Sequence, residues 1–348
     1  MILAGGFATR LRPLSCTRPK TLFPIVNKPL LQWIFERLAK NGVNEVILAV
    51  NQLTGFYIKQ NRIPRSGMTI KYSFDPSKTP LGTAGPIRHA EHLLGNEPFF
   101  ILNGDIFADI NYKQLMETHM KTNAWATLAL CTVEDPSRYG VADIAKNGQI
   151  KRFIEKPPKG TEPSKLINAG VYVLNPDVLQ LIPKDKATSM EREVFPKLAN
   201  AGKLFGHVIH GLWIDIGRPE EYLQTNKIIL DTLQPKSKSG SKRGFELKQP
   251  IALDKGVSVG KGSIIGPYAV IGKNATVGEN TRISDSVIFP GTRVCDSACI
   301  NGAIIGEEAV IGENVKIRKG SIIADHAKIL KGTKLRAGTT VCPAKEVS

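Results

Sequence analysis

Two rhythms divide the chain. Up to about residue 230, short apolar runs alternate with amphipathic stretches; beyond about 250, single aliphatic residues recur at steps of five or six. In the first part, Ile2-Leu3-Ala4 reads as a strand that ends in a glycine turn. Lys28 to Lys40 sets Leu31, Ile34, Phe35 and Leu38 at helical spacing and closes with Asn41-Gly42, a C-cap signal. Val46 to Val50 and Phe99 to Leu102 read as buried strands, and Thr83 to Leu94 between them as a helix. Such alternation predicts an α/β, Rossmann-like fold: a mostly parallel sheet with helices on both faces. Ligands of such sheets bind at the carboxyl ends of the strands, so functional residues should follow the apolar runs.

The second part keeps a different beat. Val259, Ile265, Ile271, Val277 and Ile283 fall six apart; steps of five to Ile288 and, after Val294 and Ile300, to Ile305 interrupt the count. Ile311, Ile317, Ile323, Ile329, Leu335 and Val341 then resume it. A helix of period 3.6 cannot carry this pattern. Hexapeptide periodicity marks a parallel β-helix, here expected to be left-handed, with each aliphatic residue stacked on its copy one coil away. The expected division is residues 1–232 for the α/β domain, a polar, basic linker over 233–250, and the β-helix over 251–348. An open-ended solenoid has ends and faces to cover, so a homo-oligomer is expected through it. Acyl transfer, a second use of such solenoids, needs a base, and this region offers one histidine, His326.

Composition narrows the class. The 348 residues, 42% hydrophobic and 22% charged, describe a globular protein of two domains. No apolar run approaches the roughly 20 residues of a membrane span, and the opening Met1-Ile2-Leu3-Ala4-Gly5-Gly6 has no signal-peptide pattern. A cytoplasmic location is therefore expected. The five cysteines are scattered, and Cys295 and Cys299 have no second ligand pair, which argues against zinc. The net charge of +16, from 47 basic and 31 acidic residues, is spread along the chain. Without a nucleic-acid motif or a polybasic block, it reads as a basic surface with a cleft for polyanionic substrates, and no nucleic-acid partner is expected.

The chemistry gathers first at the N-terminus. A strand running into Gly5-Gly6 presents backbone N–H groups to a phosphate chain, and Arg10, Arg12, Arg18 and Lys20 bring cations to the same loop. No Gly-Lys-Ser/Thr follows, which excludes a Walker loop, and the third glycine of a dinucleotide fingerprint is missing.

This segment, Leu3-Ala4-Gly5-Gly6-Phe7-Ala8-Thr9-Arg10-Leu11-Arg12-Pro13-Leu14 followed by Pro19-Lys20, resembles the signature of the sugar-1-phosphate nucleotidyltransferase family. That signature reads Ala-Gly-Gly-x-Gly-Thr-Arg-Leu-x-Pro-Leu and then Pro-Lys; Ala8 stands where glycine is usual. The resemblance continues in order through Leu81-Gly82-Thr83-Ala84-Gly85, Asn103-Gly104-Asp105, Glu155-Lys156-Pro157, Asn168-Ala169-Gly170 and Trp213-Ile214-Asp215. It implies a nucleotide held by Leu3, Ala4, Gly5, Gly6, Ala8, Thr9, Gly82, Thr83, Asn103 and Asp105. It also implies catalytic cations at Arg10 and Lys20, a sugar phosphate on Glu155, Lys156, Asn168 and Gly170, and Mg²⁺ on Asp105 and Asp215.

The implied reaction joins a sugar-1-phosphate to a nucleoside triphosphate and releases pyrophosphate. Tyr139-Gly140-Val141 and Met190-Glu191-Arg192-Glu193-Val194-Phe195-Pro196 are more similar to GDP-mannose pyrophosphorylases than to uridylyl- or thymidylyltransferases. GTP with mannose-1-phosphate is thus the expected pair, and a glucose-1-phosphate uridylyl- or thymidylyltransferase is the alternative. A non-catalytic, nucleotide-sugar-binding subunit is an alternative of another class, against which Lys20, Asp105, Lys156 and Asp215 speak.

Overall fold

The computed structural model describes residues 1–6, 8–76, 80–184, 186–233, 240–242 and 244–348. Within the polar stretch read as a linker, residues 234–239 and 243 lie outside the described residues. Two compact units emerge: Met1–Gly6 with Leu31–Asp215, and Phe7–Leu30 with Ile216–Ser348. Among the described residues no helix is long and apolar enough to cross a membrane.

The first unit is built on a nine-stranded sheet. Its centre is Ile2–Leu3, paired in parallel with Glu45–Val50 on one side and Phe99–Asn103 on the other. Thr69–Phe74 extends the parallel half beyond Glu45–Val50. The other half is mostly antiparallel: Leu166–Leu174 runs against Phe99–Asn103, Ala126–Thr132 and Gly140–Ile144, while Leu204–Val208 lies parallel to Ala126–Thr132. Ile150–Glu155 closes that edge against Gly140–Ile144. The sheet is therefore mixed, and the expected parallel pattern is found mainly in the half that carries the glycine turn. The reason lies in the connections. Helices Leu30–Lys40 and Gln52–Gln60 are long enough to return the chain to the same end. The five residues between Ile144 and Ile150 join only antiparallel neighbours.

Two helical readings shift at their ends. The helix expected from Lys28 starts at Leu30, because Lys28–Pro29 pairs with Pro24–Ile25 across a turn in which Val26 and Asn27 both have positive φ. Its C-terminus closes as the sequence indicates, with Gly42 at φ +80° and its N–H donating to Ala39 O at 3.0 Å. The helix expected over Thr83 to Leu94 is broken into Gly85–His89 and a turn at Glu91–Leu93.

In the second unit the solenoid consists of three parallel ladders. Ile265 pairs with Ile283, Ile283 with Ile300, Ile300 with Ile317 and Ile317 with Leu335. Steps of five in the sequence become shortened coils, and the stack of aliphatic side chains stays in register. Almost all of them are buried in one continuous core. The corners need left-handed backbone, and Gly256, Gly262, Asn274, Asn280 and Asp285 are among the residues that supply it, a role for which Gly, Asn and Asp are suited. His326 is such a corner residue, at φ +60°, exposed and with Nδ1 3.3 Å from Glu308, which agrees with a surface role. The first rung, Phe245–Leu247, pairs with Ile264–Ile265 and so lies within the stretch read as a linker. Helix Pro219–Leu233 packs in the same unit, with Lys227 Nζ 2.5 Å from Asp285.

Ile300 is 1% exposed and stacked between Ile283 and Ile317. Ile300→Ala is expected to destabilise the protein by about 2–5 kcal/mol, and Ile300→Val by about 0.5–1.5 kcal/mol. Denaturant unfolding of the full chain checks both.

Candidate active site

Around the central strand the carboxyl ends of four strands converge on Leu3 to Gly6. Ala4 N–H donates to Ala49 O at 2.8 Å, and Gly104 N–H donates to Leu3 O at 2.8 Å. Asn51 donates from Nδ2 to Gly5 O at 2.9 Å, while its Oδ1 caps the next helix by accepting from Thr54 N–H at 2.8 Å. The two glycines differ. A Cβ on Gly5 would stand 2.9 Å from Asp75 Oδ2, whereas a Cβ on Gly6 would meet open space. A side chain at residue 5 would therefore have to displace the Asp75 carboxylate, whereas Gly6 leaves its backbone accessible to a ligand.

Leu81 to Gly85 is braced from behind. Gly82, at φ +76°, leaves no room for a side chain against the Thr188 carbonyl. Thr188 N–H donates to Leu81 O at 3.0 Å, and Ala84 N–H donates to Thr188 O at 2.9 Å. Thr83 Oγ1 donates to Glu191 Oε2 at 2.6 Å and accepts from Met190 N–H at 2.9 Å. The Met190–Val194 turn therefore sets this loop, and Thr83 serves as its anchor.

Three segments meet behind Asp105. Trp213–Asp215 pairs antiparallel with Ile106–Ala108, with Asp215 opposite Ile106, so the ladder sets Asp215 beside the residue that follows Asp105. Asn168–Gly170 packs against both. Gly170 is at φ +70° with the Ile106 and Asn103 side chains occupying the space of a Cβ, and Asn168 Oδ1 accepts its N–H at 2.9 Å. Trp213 Nε1 donates to Ala169 O at 2.9 Å, so the indole locks the segment in place.

Glu155 and Lys156 end the edge strand. Glu155 lies opposite Gly140, and Lys156, at φ +51°, donates its N–H to Tyr139 O at 2.9 Å. The Tyr139 ring stands edge-on to Trp213 at 5.4 Å, linking this pair to the Asp215 strand. Glu155 is 14% exposed, and burial pushes its carboxyl above the usual range; Lys156, with Nζ at 3.4 Å, pulls it back, and Glu191 adds to the rise. The Lys156 side chain is largely exposed.

The remaining expected residues belong to the second unit. Ala8 takes the left-handed conformation, φ 45° and ψ 42°, that the usual glycine would adopt freely. Its carbonyl accepts from Leu11 N–H at 3.0 Å and Ser15 Oγ at 2.8 Å. Thr9 and Arg10 follow in an exposed turn, while Lys20 is buried at the start of another turn, Lys20–Leu22.

Residues 1–232 match the Nucleotidyl transferase family model, and residues 247–348 match the GMPPB C-terminal domain. The chain belongs to the nucleotidyl transferase family. Mannose-1-phosphate guanylyltransferase 1 of Arabidopsis thaliana is 34% identical over 351 residues, covering 100% of this chain and 96% of its own. The mannose-1-phosphate guanylyltransferase catalytic subunit beta of Xenopus tropicalis is 40% identical over 239 residues, 68% of this chain and 66% of its own. Among solved structures, HddC from Yersinia pseudotuberculosis matches with a TM-score of 0.56 at 30% identity, over 66% of this chain and 97% of that one. HddC has also been crystallised in complex with GMP-PN.

In this nucleotidyl transferase, sequence reasoning missed Asn51 and Asp75, which follow the neighbouring strands Glu45–Val50 and Thr69–Phe74 on one side of the central strand. Asp75 Oδ1 is buried without a hydrogen-bond partner, and burial raises its carboxyl's pKa against the pull of His89. Their signal was the one used elsewhere, a polar residue directly after an apolar run.

The glycine contrast is testable. Gly5→Ala should destabilise the fold by about 1–3 kcal/mol through overpacking against Asp75. Gly6→Ala should leave the melting temperature unchanged yet lower pyrophosphate release at least tenfold. Thermal unfolding and turnover of both variants check this.

Proposed function

We propose that the protein transfers the guanylyl group of GTP to mannose-1-phosphate, forming GDP-mannose and releasing pyrophosphate. The observation that carries this reading is the pairing of Trp213–Asp215 with Ile106–Ala108, which sets Asp215 beside the Asp105 turn. The choice of guanine and mannose is supported by the whole-length similarity to an Arabidopsis thaliana mannose-1-phosphate guanylyltransferase and by a related protein crystallised with GMP-PN. Residues 1–232 would be the catalytic domain, 233–250 the linker and 251–348 the β-helix domain, through which copies of the chain would assemble. Its place of action would be the cytoplasm.

Asp105 and Asp215 would hold Mg²⁺. The donor set fits: magnesium binds through one or two carboxylates plus substrate phosphates and water. Among the described residues no cluster of three or more His, Cys, Asp or Glu is placed to hold a metal, so phosphate and water would complete the shell. When bound, the ion neutralises charge on the triphosphate.

The chain's own groups do the rest. Gly5-Gly6 and the Leu81–Gly85 loop would hold the nucleotide through their backbones, and Arg10 and Lys20 would offset the triphosphate charge. Glu155, Asn168 and Gly170 would orient the sugar, with Lys156 steering its phosphate. A phosphate oxygen of the sugar phosphate then attacks the α-phosphorus, the α–β bridging bond breaks, and pyrophosphate leaves in line. The nucleophile is already an anion, so no base is required; position and cations lower the barrier.

Pyrophosphate release should peak with GTP and mannose-1-phosphate in a grid of five nucleoside triphosphates against mannose-, glucose- and N-acetylglucosamine-1-phosphate. Asp105→Asn and Lys20→Met should each lose on the order of 10²–10³ in kcat while remaining folded. Another optimum replaces the substrates, and near-normal turnover in either variant removes the mechanism.

A further inference from the structure

The segment that carries Lys20 is laid along one edge of the solenoid, within the second unit. Ile271, Ile288, Ile305 and Ile323 are equivalent positions on four successive coils. At or just after each of them, the chain meets residues 17–27. Asn27 Nδ2 donates to Ile271 O at 3.0 Å. Phe23 packs edge-on to Phe289 at 6.2 Å, and the Arg18 guanidinium lies over the same Phe289 ring, 5.0 Å from its centroid. On the third coil Arg18 forms an ion pair with Glu307. On the fourth, Asp325 Oδ2 accepts from Thr17 Oγ1 at 2.7 Å and lies 3.8 Å from Arg18.

Asp325 is the hub. Its side chain is 5% exposed, and its Oδ1 accepts the Glu307 N–H at 2.7 Å, tying adjacent coils together. A buried carboxylate is strongly destabilising when its partners are removed. Here those partners are Arg18 and Thr17, two and three residues before Lys20. Between Arg18 and Lys20 stands only Pro19, with its fixed φ, and Leu22 and Phe23 N–H close the next turn on Pro19 O and Lys20 O at 2.9 and 3.0 Å. A shift of Arg18 is therefore passed to Lys20 with little slack.

We propose that Asp325 and Glu307 of the β-helix are positioning residues for Lys20, acting through Thr17 and Arg18. The solenoid then has a part in turnover besides assembly. This rests on the proposed role of Lys20 in nucleotidyl transfer, and it assigns to the C-terminal repeats two acidic residues that set the geometry of a cation through Thr17 and Arg18.

The test uses the full chain with Asp325→Asn, which keeps the shape and removes the charge, and the milder Glu307→Gln. Two measurements are made on each. Amide hydrogen exchange at Leu22 and Phe23 should speed up at least tenfold in Asp325→Asn while the amides of the solenoid strands stay protected. In pyrophosphate release, kcat should fall at least tenfold for Asp325→Asn and less for Glu307→Gln, with KM for the triphosphate changed less than threefold. Adding Arg18→Met to Asp325→Asn should cost little more than the worse single change, because the residues act as one unit. Unchanged exchange at Leu22 and Phe23 overturns the proposal, as does unchanged kcat in a variant whose exchange has risen. Absence of turnover in the parent protein would overturn the nucleotidyl transfer reading instead, and the exchange result would still decide the coupling.

Discussion

Pairing of Trp213–Asp215 with Ile106–Ala108 sets Asp215 beside the turn that carries Asp105, 110 residues earlier in sequence, and the segments around the ladder are fitted to it. Opposed residues of an antiparallel pair share a face, so Asp215 points with Ile106. Asp105 belongs to the preceding turn and is released from that alternation. The Ile106 side chain occupies the place where residue 170 would carry a Cβ, which is why a glycine at φ +70° stands there. The Trp213 indole closes the arrangement by holding Ala169 O.

The same logic of bracing recurs at the nucleotide loop. Gly82 and Thr83 are shaped by Thr188, Met190 and Glu191, residues that need not touch a substrate. Glu191 accepts from Thr83 and also raises the pKa of Glu155, so one carboxylate couples the loop that would hold the base to the strand end that would hold the sugar. Backbone contacts cannot be tuned by exchanging side chains. The tuning has therefore moved to the residues behind the backbone.

What the sequence disclosed follows from the range of each interaction. The repeats of the solenoid from residue 251 on were legible, including the shortened coils, because each aliphatic position packs on its own copy one coil away and the period records it; the first rung, Phe245–Leu247, was not. Motif residues after strands were legible because a strand end and a glycine are local signals. Strand direction was not: the hydrophobic run of Leu166–Leu174 reads alike whether it pairs parallel or antiparallel, and only the short connections elsewhere decide it. Nor was the attachment of residues 7–30 to the solenoid unit. Thr17 and Asp325 are 308 residues apart, and a hydrogen bond between a common hydroxyl and a common carboxylate leaves no periodic trace. Asp75 and Asn51 were within reach of the rule that found Asp105, but no motif drew attention to them.

Ala8 shows how a departure from a signature is absorbed. Left-handed backbone costs a residue with a Cβ on the order of 1–2 kcal/mol, and Ala8 adopts it all the same. Its carbonyl accepts two hydrogen bonds, from Leu11 N–H and Ser15 Oγ, which hold the peptide plane in the orientation the turn requires. Each such bond contributes about 0.5–1.5 kcal/mol net, so together they match the cost. The conformation that launches Thr9 and Arg10 is thereby kept without the residue that usually supplies it. The constraint on this position is the path of the backbone rather than the identity of glycine, and Ser15 is the residue through which the chain maintains it.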